Sequence, residues 1–164
     1  EKRRITVMRK IKKLVATLLA ATMVMAMGVT AFAADSLADG KYTAKQNLYK
    51  NSACTTTSMG DAALNDMRAE ITIADDEATL VVHTHEITYL GLTGHLGKMV
   101  VNGKTVTPKQ TTTNGVTDYY FTFTGLDAST IYEGCVITGK FTTYVGSMPM
   151  NATGYLKLTD ITAK

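Results

Sequence analysis

The chain has 164 residues, 45% of them apolar and 19% charged, with a formal charge of +3. That charge is unevenly placed. Residues 1 to 33 hold 7 of the 17 Lys and Arg and 1 of the 14 Asp and Glu, leaving 10 against 13, a net −3, on the rest. A nucleic-acid partner is not expected, because the basic excess belongs to residues 1 to 33 alone.

Met8 opens the basic run MRKIKK, Leu14 to Thr30 is apolar, and Ala31-Phe32-Ala33 places small residues where a signal peptidase reads. The pattern predicts a secretory signal peptide over 1–33, cleaved before Ala34, with no membrane span left afterwards. A retained anchor is the competing reading, since the apolar run nearly reaches spanning length. Residues 34–164 then form one domain, secreted or associated with the cell surface, and large enough for a single core. No LPxTG-type anchor or apolar tail occurs before Lys164, so release into the medium is the expectation.

Along the domain the signals are those of strands. Gly40 to Tyr49 alternates after an Asp-Gly turn. Residues 51 to 68 lack alternation, and Met59 to Met67 reads as a short helix with Ser58 as N-cap. Ala69 to Ala74 and Ala78 to Glu86 make a hairpin around Asp75-Asp76-Glu77. Asn102-Gly103 joins Lys98–Val101 to Lys104–Thr107, and Asn114-Gly115 leads into Asp118–Thr124. Val136 to Val145 and Gly154 to Leu158 complete the set, with VGSMPMNATGY between them read as a turn. Strands at these intervals predict an all-β, immunoglobulin-like antiparallel sandwich with a short helix in one loop.

Chemistry-bearing groups are few. His83 and His85 share a strand face and could join His95 as zinc ligands, but that face also suits solvent. Cys54 and Cys135 are either a disulfide or two structural thiols. Their spacing excludes a zinc knuckle and covalent haem attachment. No nucleophile elbow, triad order or paired carboxylates can be read, so a binding module is expected rather than an enzyme. Met59 and Met148 stand at two inter-strand sites that a sandwich could bring face to face. Two thioethers across an apolar slot would suit haem iron, and core packing is the competing role.

The segments LADGKYTAKQNLYK, TSMGDAALN and KFTTYVGSMPMNATGYLKL together resemble the NEAT (near iron transporter) family of haem-binding domains of Gram-positive bacteria. The first is similar to the family's opening strand. The second is similar to the lip, where a serine, here Ser58, contacts a haem propionate. The third is similar to the strand–turn–strand that carries the iron ligand. Typical members carry Y-x-x-x-Y there. This chain keeps Tyr144, has Met148 at the second place, and has Ala63 where the lip aromatic belongs. Those departures resemble the streptococcal-type surface haem proteins, which hold iron between two methionines, one seven residues before a Tyr-Leu pair as Met148 is before Tyr155-Leu156. The resemblance implies haem b as cofactor, Met59 and Met148 as axial ligands, and Met150 and Tyr144 in reserve. It also implies haem-donor and haem-acceptor proteins as partners. Neutral thioethers favour ferrous iron, whereas phenolate favours ferric. The alternative is a cofactor-free adhesin or carbohydrate-binding sandwich, since a fold does not fix a function.

Overall fold

The computed structural model describes residues 36–164, so the expected signal peptide lies outside the described residues. Ten strands follow in chain order: β1 (Gly40–Tyr49), β2 (Arg68–Ala74), β3 (Glu77–His85), β4 (Ile87–Tyr89), β5 (Leu92–Val101), β6 (Lys104–Val106), β7 (Lys109–Thr113), β8 (Val116–Asp127), β9 (Val136–Val145) and β10 (Met148–Ala163). The fold is the expected all-β antiparallel sandwich. Its strand order is β4-β5-β9-β10-β1-β2-β3-β8-β7, with β6 on β5. β1 pairs with both β10 and β2 and so joins the two layers, while β3 packs across the interior against β5.

Alternation dictates which way each strand faces. In β2 the buried residues are Ala69, Ile71 and Ile73, and in β3 they are Ala78, Leu80, Val82 and Thr84. Phe121, Phe123, Met99, Phe141, Leu156 and Leu158 meet them from β8, β5, β9 and β10. Each such side chain contributes roughly 1.5–3 kcal/mol by leaving water.

The strand bounds depart from expectation in one important place. β10 begins at Met148, not Gly154, so the turn is only Gly146-Ser147, between the paired residues Val145 and Met148. Gly146 has φ 59°, as the first central residue of a tight hairpin turn requires. Pro149 therefore lies inside a strand, opposite Tyr144. A proline is tolerated there because residues 148–154 pair with β9 alone, β1 reaching no further than Tyr155. In a two-residue hairpin the flanking pair is hydrogen-bonded and the next is not, so the Pro149 nitrogen faces the open edge. The expected helix is also shorter, a 3-10 turn over Met59–Ala63 capped by Ser58.

Candidate functional site

The site grows out of one face of β10. Leu158, Leu156 and Gly154 are buried, and by alternation Ala152, Met150 and Met148 continue the same row. The row emerges from the core as it nears the hairpin: Leu156 is 1% exposed, Met150 52% and Met148 63%. Their cross-strand partners extend the surface sideways. Met150 pairs with Thr143 and then Leu96, and Met148 pairs with Val145 and then Gly94. Leu92, half-exposed, has the same parity on β5 as Gly94 and Leu96. The result is an uncharged shelf continuous with the sandwich core.

A lip stands over the inner end of this shelf. Ser58 N donates to Leu48 O, and the Ser58 hydroxyl accepts from Gly60 N at 3.3 Å. Met59 follows and is 63% exposed. Gly60 is buried so closely that a Cβ there would lie 3.2 Å from Leu48 and 3.5 Å from Leu96. The lip thus rests on the row that contains Met150. Asp61, buried, fastens it: its carboxylate accepts from Leu48 N at 2.6 Å and from the Asn65 side chain at 3.1 Å, with Asn47 at 3.3 Å. Gln46 adds a second tie, its amide nitrogen donating to Leu64 O at 3.1 Å and to His83 O. Asp61 and Gln46 carry no sequence signal of this role; a buried polar residue in a strand shows itself only through its partners.

The structure brings Ser58, Met59, Met148 and Met150 to the same end of the molecule and separates Tyr144 from them. Four residues divide Tyr144 from Met148, but the hairpin turn falls between them. In register Tyr144 opposes Pro149, so its side chain takes the face opposite Met148 and Met150. Tyr144 and Met148, four residues apart, therefore do not share a face, and Tyr144, held in reserve as a ligand, stands away from the methionines. The Tyr144 ring lies over Gly97, where an added Cβ would approach it to 2.2 Å, and stacks on His95 at 5.3 Å. His95 stacks in turn on Tyr119 at 4.8 Å. Burial and a hydrogen bond to Glu86 push the Tyr119 phenol up to about 12, so it remains neutral.

The remaining candidates separate. His83 and His85 do share the face of β3 opposite Leu80 and Val82. His83 lies beside Tyr120, whereas His85 bonds Asp66 at 2.9 Å and the Glu86 carbonyl at 2.7 Å. Among the described residues no group of three His, Cys, Asp or Glu could hold a metal ion. Cys54 and Cys135 are unbridged thiols, and burial pushes the Cys135 thiol up. No helix among the described residues is long and apolar enough to cross a membrane. The sequence matches no protein-family model and no curated protein.

Proposed function

We propose that residues 34–164 are a secreted, non-catalytic haem-binding domain that takes up haem and passes it to a partner. The observation that carries this reading is the apolar row of β10, which leaves the core and ends in two exposed methionines beside a lip bearing a third. Three exposed thioethers grouped at one end form an apolar patch rather than scattered surface residues, and such patches mark binding sites.

The residues present fit the group. The shelf of Leu92, Val145, Met148 and Met150 is apolar and uncharged, as a macrocycle's face needs, with Leu96 buried next to it under the lip. Met59 on the lip and Met148 on the shelf are the two thioethers that would hold the iron. Met150 is the competing thioether, one row nearer the lip. Ser58 keeps its own hydroxyl proton while accepting from Gly60, so it can donate to a propionate. Haem would supply an iron that accepts neutral sulfur donors, and such ligation favours the reduced state. Tyr144 is assigned no role in this reading, because its face is the wrong one. The resemblance of the lip and hairpin segments to NEAT domains points the same way.

Titration of the domain with haemin tests the proposal. A saturable, shifted Soret band at one haem per chain is expected. A spectrum identical to that of free haemin would remove it and favour the cofactor-free adhesin or carbohydrate-binding reading.

A further inference from the structure

Among the described residues, two buried side-chain oxygens have no hydrogen-bond partner, Gln46 Oε1 and Thr84 Oγ1. Both residues are fully buried. Leaving a polar atom unmet in the interior destabilises a fold, so native chains seldom do it.

The two oxygens belong to one place. Lys45 opposes Arg68 across β1 and β2, and Glu70 opposes Val81 across β2 and β3. Carried two residues along, the second register sets Arg68 opposite His83. One step further, Gln46 and Thr84 face each other across the position of Met67. β2 reaches only to Arg68, and Met67 N turns away to Leu64 O at 3.1 Å. Gln46 crosses the gap this leaves, its amide nitrogen donating to His83 O and to Leu64 O at 3.1 Å. Two carbonyl partners require a donor, so the amide orientation is fixed and Oε1 is the end left over.

The unmet needs are complementary. Gln46 Oε1 can only accept, and the Thr84 hydroxyl has a proton to give. The group between them must therefore accept from one and donate to the other. A metal cation would leave the Thr84 proton unplaced, and an anion has no proton for Gln46. Water does both, and two to four polar partners are what a buried water needs.

We infer that one ordered water sits at the base of the lip, accepting from Thr84 Oγ1 and donating to Gln46 Oε1. It joins β1 to β3 where β2 is absent, and so completes the fastening that Asp61 begins. This inference is independent of what the shelf binds.

A high-resolution crystal structure of the protein and the stability of Thr84→Val test it. Density for one water within hydrogen-bond distance of both oxygens is expected. Thr84→Val keeps the side-chain shape but removes the donor, so Gln46 Oε1 loses its partner along with the water. The folded-to-unfolded ratio should then fall about tenfold. Were Thr84 Oγ1 unmet, the same substitution would delete a buried orphan and raise stability. A variant as stable as wild type or more so would therefore overturn the inference. So would wild-type density that is empty between the two oxygens, or that shows Gln46 and Thr84 bonded directly.

Discussion

The two halves of β10 share one strand yet end differently. Towards its C-terminus the edge left by β9 is closed by charge and hydrogen bonds. The Glu133 carboxylate accepts from Asp160 N and Ile161 N at 2.8 and 2.9 Å, and Cys135 O accepts from Leu158 N at 3.0 Å. Arg68 spans from β2 to Thr43, Asp160 and Thr162. Asp160 itself, at φ 53° in a bulge, is held below the usual carboxylate range by Arg68 and Lys45. Towards its N-terminus the same strand has an open edge, a proline on it, and two exposed methionines on one face. One half is finished as structure, and the other offers an unfinished surface. That contrast is how a sandwich of ordinary construction can carry a site without spending core residues on it.

Removing the fastening of the lip should break the contrast most strongly. Asp61→Ala strands the Leu48 N–H and frees two asparagine side chains, at a cost of about 3 kcal/mol in denaturant unfolding. If the lip frames the site, haem binding should weaken as well. A variant of unchanged stability would show that the lip is held some other way. At the closed half, Arg68→Ala should cost less, about 1–2 kcal/mol, since its side chain is partly exposed, and should leave ligand spectra untouched. Leu90→Asn should instead stabilise by about 1 kcal/mol through relief of a leucine held at φ 49°; a loss of stability would mean that its turn packs on something essential.

The smallest effect concerns pH. Both ring nitrogens of His85 face acceptors, Asp66 and the Glu86 carbonyl, so the doubly protonated ring suits the site. Burial pulls its pKa down, but the two partners outweigh burial and the net shift is upward. A raised folded pKa stabilises fully below the unfolded value and is lost as pH rises through the folded one. The stability difference between wild type and Asp66→Asn should therefore be largest below about pH 6 and shrink by about pH 8. A difference that grows with pH would contradict the assignment.

Much of the scaffold was legible in the sequence because local signals agreed with the fold. Asn102-Gly103 and Asn114-Gly115 sit between alternating runs, and β1 and β9 have the expected bounds. The uncharged end was harder to read. Pro149 resembles a turn residue, and only the sheet order reveals that it borders an open edge where its missing N–H is harmless. β4 and the start of β5 carry glycines and a Leu-Gly turn in place of Asn-Gly, which hides the hairpin. The lip helix stops at Ala63, and the Leu64 N–H closes it on Asp61 O. The facing of Tyr144 could not be counted correctly until the turn was known to be two residues long, since each inserted residue reverses the face.

The central claim is that the face of the β9–β10 hairpin that carries Met148 and Met150, not the face that carries Tyr144, meets the ligand. Haemin titration of four variants tests it: Met59→Ala, Met148→Ala, Met150→Ala and Tyr144→Phe. The account predicts a low-spin, readily reduced haem in wild type and little change in Tyr144→Phe. Met59→Ala should lose one axial ligand, and one of the two shelf substitutions should abolish the native spectrum. A high-spin wild-type spectrum that disappears in Tyr144→Phe and survives all three methionine substitutions would place the ligand on the other face and contradict it.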